Sequence, residues 1–189
     1  ALERTGWPRS RIMGSGTVLD SARFRFLLSR HCGVDVRNVH AYILGEHGDS
    51  EMAAWSMVHI AGLPVEKFCE RFGRCADASA ERDAMAEEVR KSAYHIIGYK
   101  GSTYFAIGLA LVRIVGAILR DERSVLTVSA RLEGEYDVEG ICLGIPCVVG
   151  RRGIEQVIEA QLSDHEKRQL DHSATILKQA IKDLSSFRA

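Results

Sequence analysis

The apolar residues of this chain change their period twice, and that change limits the folds open to it. From Ala80 to Arg120 they recur at helical spacing. Met85, Val89, Ser92, Ile96 and Tyr99 fall on one stripe, with Glu87, Glu88, Arg90 and Lys91 facing water. The pattern breaks over Gly98–Ser102 and resumes at Thr103, which predicts two helices or one kinked helix. From Ser124 to Val149 the period drops to two. Strands are expected over Ser124–Leu132, Gly140–Leu143 and Ile145–Val149, with turns at Glu133–Tyr136 and Gly144–Pro146 and a further strand over Gly153–Gln161. Ser163-Asp164-His165-Glu166 then has the spacing of a capping box. Leu170, Ala174, Leu177, Ile181 and Leu184 restore a helical stripe to the C-terminus. Helices and strands arriving in groups predict an α+β fold, antiparallel sheets with long packed helices, over residues 1–189.

The first third of the chain is more broken. Thr17-Val18-Leu19-Asp20 has the same capping spacing, apolar residues follow, and Gly33 supplies a stop, so a helix is expected from Val18 to Cys32. Val39–Leu44 reads as a strand ended by Gly45 and Gly48, Trp55–Ile60 as a second short strand, and Val65–Phe72 as a short helix.

Composition narrows the function classes. The chain has 25 basic and 25 acidic residues and a net charge of zero, which gives no electrostatic case for nucleic acid or an anionic membrane. The longest apolar stretch, Ile107–Leu119, is interrupted by Arg113 and is too short to span a bilayer. Five cysteines (Cys32, Cys69, Cys75, Cys142 and Cys147), odd in number and without a C-x-x-C pair, read as thiols of a reducing cytoplasm rather than a disulfide framework or zinc site.

Two stretches carry candidate chemistry. In Leu44-Gly45-Glu46-His47-Gly48-Asp49-Ser50 a histidine sits between two glycines just past a strand end. Its ordinary pKa suits proton exchange near neutrality, and small neighbours let other groups approach the ring. Read alone, His47 is more readily a hydrogen-bonded loop histidine. In Gly14–Arg25, Asp20 and Arg23 lie three apart at a helix start and share a face. They are either a solvated ion pair or two working groups: a buried carboxylate that orients an imidazole and a guanidinium that forks a substrate carboxylate. Gly14-Ser15-Gly16 begins like a dinucleotide fingerprint, but Leu19 stands where the third glycine belongs. A metal site from His40, His47 and Asp49 is disfavoured, because these residues do not form a closed ligand set.

Taken together, GSGTVLDSARFR at residues 14–25, a strand, and LGEHGDS at residues 44–50 resemble the L-lactate dehydrogenase family. The family pattern of an aliphatic residue, Gly, Glu or Gln, His, Gly, Asp or Asn, then Ser or Thr is met at each position from Leu44 to Ser50. The likeness runs from Arg11 nearly to the C-terminus and includes Trp55-Ser56 and Lys100-Gly101-Ser102-Thr103. The resemblance implies the fold of the C-terminal domain of lactate/malate dehydrogenases, with an N-terminal Rossmann domain for NAD that this sequence lacks. It implies His47 as proton acceptor, Asp20 as its carboxylate partner and Arg23 as the grip on the substrate carboxylate. Ser21, Ala22 and Thr103 would line the substrate site. It implies pyruvate and L-lactate as substrates, with malate or another 2-hydroxy acid as the alternative; Glu46 favours lactate. Arg25 and His40 match positions that bind fructose 1,6-bisphosphate as an allosteric activator between subunits of a homotetramer. A fragment without dehydrogenase activity, acting as an oligomerisation or bisphosphate-binding domain, is the reading from another class.

Overall fold

The computed structural model describes residues 2–72 and 79–186. A short helix α1 (Leu2–Thr5) precedes the main body, which begins with α2 (Val18–Cys32). That helix ends as expected: Gly33 is left-handed at φ 65° and its N–H returns to the Ser29 carbonyl. The expected strand over Val39–Leu44 is two strands, β1 (Val39–His40) and β2 (Ile43–Leu44), because the chain changes partner between them. β2 pairs antiparallel with β3 (Met52–Ala53), and β1 pairs with β4 (His59–Ile60), which pairs with β5 (Leu63–Pro64). The strand expected over Trp55–Ile60 is therefore β4 alone. Trp55–Met57 is a single turn of 3-10 helix instead.

Next come α3 (Val65–Phe72), α4 (Ser79–Lys100) and α5 (Phe105–Leu119). The helix break falls at residues 101–104, a few positions later than the glycines at 98 and 101 suggested. Of the expected α4 stripe, Val89 is buried and Met85 packs beside it, but Tyr99 is 93% exposed. The first half of α4 rests on the α2 cluster, while its second half carries exposed Tyr94, Ile97 and Tyr99.

The β-rich region divides where the sequence pattern runs on. The expected strand Ser124–Leu132 is β6 (Ser124–Leu126) and β7 (Ser129–Glu133), which belong to different sheets. The intervening Thr127 carbonyl accepts the Thr17 N–H at 3.0 Å, and Gly14 exchanges hydrogen bonds with Ser129 at 3.1 Å. β7 pairs with β8 (Glu139–Gly144), and β6 pairs with β9 (Cys147–Gly150), which pairs with β10 (Gly153–Val157). Gly144–Pro146 is thus a crossing between sheets. β10 stops four residues before the expected Gln161 because the Ile158 N–H goes to Pro146 and the Ala160 N–H to the Tyr136 hydroxyl. In α6 (Asp164–Ser186) the capping box forms. Glu166 accepts from the Ser163 N–H at 2.7 Å, and the Ser163 hydroxyl accepts from the Glu166 N–H at 3.3 Å.

Two apolar clusters flank the N-terminal half of α2. One gathers Val18, Leu44, Ile114, Leu143, Ile145, Leu170 and their neighbours beneath the sheets. The other gathers Phe24, Leu28, Ile43, Ile60, Phe68 and Val89. The start of α2 and strand β2 lie where the two meet, and the candidate residues stand there. Among the described residues no helix is long and apolar enough to cross a membrane, and Cys142 and Cys147 carry free thiols. Cys75 lies outside the described residues.

Candidate active site

The capping box expected at Thr17 does not form, and its failure builds the site. Thr17 is fully buried, and its hydroxyl donates to the Ile43 carbonyl at 2.6 Å instead of capping α2. One turn on, the Ser21 hydroxyl accepts the Ile43 N–H at 2.9 Å. Two hydroxyls on one helix face therefore hold both backbone groups of a residue four positions before His47. The chain then passes Gly45, at φ 102°, where an added Cβ would lie 2.7 Å from the Ser173 hydroxyl. Gly45 exchanges hydrogen bonds with Gly144 at 2.8 and 2.9 Å, and the Glu46 N–H donates to Ser173 at 2.6 Å. At Gly48 an added Cβ would meet the Glu46 carboxylate at 2.3 Å. Gly45 serves both the close approach and a left-handed backbone, whereas at Gly48 the Glu46 side chain can move aside.

This path brings His47 over the first turn of α2. His47 Nδ1 lies 2.7 Å from Asp20 Oδ2, and Arg23 Nη1 donates to Asp20 Oδ1 at 3.0 Å. Asp20 is 2% exposed, while the side chain of His47 is about half exposed at 52%. The contact with the Asp20 carboxylate holds the His47 imidazole above its ordinary pKa. Burial and the nearby Arg23 oppose that rise, and Glu51 adds to it. With Nδ1 committed to Asp20, Nε2 is the ring nitrogen left to exchange a proton with a bound molecule. One edge of the Arg23 fork is spent on Asp20, and the guanidinium remains partly exposed beside the imidazole.

The other expected residues are placed as follows. Ser21 turns its hydroxyl into the core, 2.9 Å from the Thr127 hydroxyl, so only its backbone remains for the substrate wall. Ala22 is exposed, and Thr103 is half-buried in the link between α4 and α5. Arg25 is half-buried on α2. Burial lowers its pKa and nearby Arg113 adds to that, and among the described residues no carboxylate lies within ion-pair distance. His40 is exposed on β1, directly opposite His59 of β4. His40, Tyr42 and His59 line a cavity of about 470 Å³. Asp49 accepts from the Tyr94 hydroxyl at 3.1 Å.

The sequence reading passed over Glu51. It is 6% exposed, and its carboxyl, the Asp20 carboxyl and a ring nitrogen of His47 offer donor atoms all within 4.8 Å of one another. A lone acidic residue before a two-residue strand has no spacing that marks it. Three such donors resemble a metal-ligand set, but Asp20 already serves Arg23 and His47, and a cation would sit beside a guanidinium. The geometry suits a shared proton better.

Gly14-Ser15-Gly16 is used in packing. A Cβ at Gly16, where φ is 52°, would lie 2.5 Å from the Thr127 carbonyl oxygen, so this turn abuts a strand and forms no phosphate cradle. A domain of antiparallel sheets and long helices gathers an imidazole, a buried carboxylate and a guanidinium at a helix start, groups able to share a proton and to receive an anion.

Comparison with known proteins places that domain in a family. Residues 17–188 match the lactate/malate dehydrogenase, alpha/beta C-terminal domain, and the chain belongs to that family. Over 186 residues it is 55% identical to the L-lactate dehydrogenase of Treponema denticola, covering 98% of this chain and 59% of that protein. It is 49% identical over 180 residues to L-lactate dehydrogenase 1 of Clostridium acetobutylicum, covering 95% and 57%. The ligands-bound crystal structure of the minor L-lactate dehydrogenase of Enterococcus mundtii superposes with a TM-score of 0.91 at 41% identity, covering 96% of this chain and 57% of that one. The chain thus spans less than three-fifths of the length of these relatives.

Proposed function

We propose that this chain is the substrate-binding, proton-transferring part of an NAD-dependent L-lactate dehydrogenase that interconverts L-lactate and pyruvate in the cytoplasm. The observation that carries the reading is the Asp20–His47 contact at 2.7 Å beside Arg23, in a chain whose similar proteins are named for that activity.

Each side chain has a task in this reading. Arg23 receives the substrate carboxylate on its free edge and fixes the direction in which C2 points. His47, uncharged, takes the proton of the C2 hydroxyl as lactate is oxidised; as imidazolium it returns that proton when pyruvate is reduced. Asp20 favours the charged ring, which keeps His47 able to serve both directions near neutrality. Thr103 and the backbone of Ser21 and Ala22 complete the substrate wall. The nicotinamide of NAD supplies or receives the hydride at C2. The Gly14-Ser15-Gly16 turn is packed against a strand and forms no cradle for its phosphates, and the match covers 59% of the Treponema denticola relative, so in this reading the dinucleotide is held by the part of such an enzyme that lies outside the match. The half-exposed ring of His47 suits a site closed from outside this chain.

Arg25 and His40 are assigned to fructose 1,6-bisphosphate in a homotetramer. A half-buried guanidinium with no carboxylate partner among the described residues, and two imidazoles facing each other across β1 and β4, support a phosphate site. The exposed apolar row Phe105, Leu109, Val112 and Leu119 on α5 supports burial against further protein.

The test is made on the complete enzyme with NADH and pyruvate, oxaloacetate or 2-oxoisocaproate. The highest kcat/KM is expected with pyruvate, and preference for either other acid would refute the substrate assignment. Fructose 1,6-bisphosphate is expected to sharpen pyruvate saturation in the wild type and to lose its effect in His40→Ala. Identical curves with and without the effector would remove the allosteric site.

A further inference from the structure

Glu51 is a buried acid with no ion-pair partner among the described residues, set against the two groups that handle the proton. It begins the chain's entry into β3, is 6% exposed, and its carboxyl lies within 4.8 Å of both the Asp20 carboxyl and a ring nitrogen of His47. The charged and titratable groups around it come from every neighbouring element. Asp20 and Arg23 face it from α2, and His47 and Asp49 from its own loop. Arg90 faces it from α4, and His165, Arg168 and His172 from α6, around a cavity of about 360 Å³. Among the described residues none of these cations stands within ion-pair distance of Glu51. Arg90 is spent on Glu87, and Arg23 on Asp20.

Two carboxyls this close and this little exposed cannot both ionise cheaply. Here the asymmetry decides which keeps its charge. Asp20 has a guanidinium at 3.0 Å and an imidazole at 2.7 Å, whereas Glu51 has neither. We propose that Glu51 is a positioning residue for the proton transfer, a carboxylic acid at neutral pH whose ionisation in alkaline solution holds His47 in its imidazolium form. This deepens the reading of His47 as the proton-transfer group. Burial first, and then the charge of Asp20, push the Glu51 carboxyl up to about 8, which agrees with that role. The step is the loss of one proton from Glu51 to solvent. The negative charge left behind attracts the proton on His47, so the ring stays competent to reduce a keto acid further into the alkaline range.

The experiment follows the His47 ring resonances by NMR from pH 5.5 to 10 in the chain and in Glu51→Gln. The wild-type curve is expected to be broad, with a second step on its alkaline side; the Gln variant should give one step at lower pH. Superimposable curves would overturn the proposal. Should the variant not fold, carboxyl-labelled wild type decides. A Glu51 signal that titrates in the ordinary glutamate range overturns the proposal, and titration above neutrality supports it. In the complete enzyme, the ratio of pyruvate-reduction kcat/KM at pH 9 to that at pH 6.5 should fall about threefold in Glu51→Gln. An unchanged ratio beside altered ring titration would reject the positioning role. The ring titration is read without turnover, so an enzyme inactive on pyruvate would remove the lactate dehydrogenase reading and leave the coupling of Glu51 to His47 standing.

Discussion

Replacing Glu51 by glutamine should make the chain relatively more stable as the pH rises. In the unfolded chain this carboxyl gives up its proton near 4.5, and in the folded chain it holds the proton up to about 8. Between those values the folded state binds one proton more than the unfolded state, so stability falls as pH increases, by about 1.4 kcal/mol per unit. From pH 5 to pH 8 the ceiling is about 4 kcal/mol. Relaxation and water entering the adjoining cavity reduce it, so about 2 kcal/mol is expected. Glutamine does not titrate, and any cost of seating an amide there is the same at each pH. His47 works in the same direction. Its raised pKa lends stability that is complete below the unfolded value of about 6.5 and fades as pH climbs through the folded one. In the variant the ring is expected to titrate at lower pH, so it gives up this stability earlier, which subtracts from the variant's gain and further lowers the difference from its ceiling. Urea unfolding of wild type and Glu51→Gln at pH 5, 6.5 and 8, at constant ionic strength, measures that difference. It should grow by about 2 kcal/mol in favour of the variant. Parallel stability profiles would refute the account of Glu51 as a buried, protonated acid.

Three further substitutions test the site. Asp20→Asn should cost at least roughly tenfold in pyruvate-reduction kcat/KM at neutral pH and move the alkaline limb of the complete enzyme to lower pH, because the imidazolium loses its counter-charge; an unmoved limb would dissociate Asp20 from His47. Arg23→Lys should raise the KM for pyruvate roughly tenfold or more, since an ammonium lacks the planar fork; a wild-type KM would show that the carboxylate is held elsewhere. Thr17→Val should lower stability by about 1–3 kcal/mol, because the buried Ile43 carbonyl keeps only the Ser21 hydroxyl at 3.4 Å. A loss within error in denaturant melts would mean that the Thr17 clamp holds nothing in place.

The residues that read most clearly in the sequence are those whose role is local. Gly33 ends α2 because the left-handed turn needs glycine, and Ser163 with Glu166 caps α6 because both partners lie within one turn. The short strands were harder. Val39–Leu44 has the composition of one strand, yet β1 and β2 belong to different sheets; their partners lie in β4 and β3, beyond the His47 loop, where no local period can register them. The same holds for Ser124–Leu132, whose interruption at Thr127 is set by Thr17, 110 positions earlier. Asp20, Arg23 and His47 were legible through motifs matched to a family. Glu51 was not, because burial and the lack of a counterion, rather than spacing, give it its chemistry.

The two capping patterns show why a motif alone did not settle the start of α2. Thr17–Asp20 and Ser163–Glu166 have the same spacing of a hydroxyl and an acid three residues on. At Ser163 the partners answer each other, and the helix is capped from within. At Thr17 the hydroxyl is 0% exposed beneath β2, where the Ile43 carbonyl needs a donor, and the acid is drawn to an imidazole and a guanidinium. Thr17, Asp20 and Ser21 stand at i, i+3 and i+4 and so share one face of the first turn. The outer two fasten Ile43 to the helix, and the middle one meets the histidine that the same strand delivers four residues later. The approach of imidazole to carboxylate is therefore guided by two buried hydroxyl contacts and the close-packed, left-handed Gly45. A site built this way has its proton-sharing geometry set by the fold itself, which is what the reversible proton transfer proposed for His47 would use.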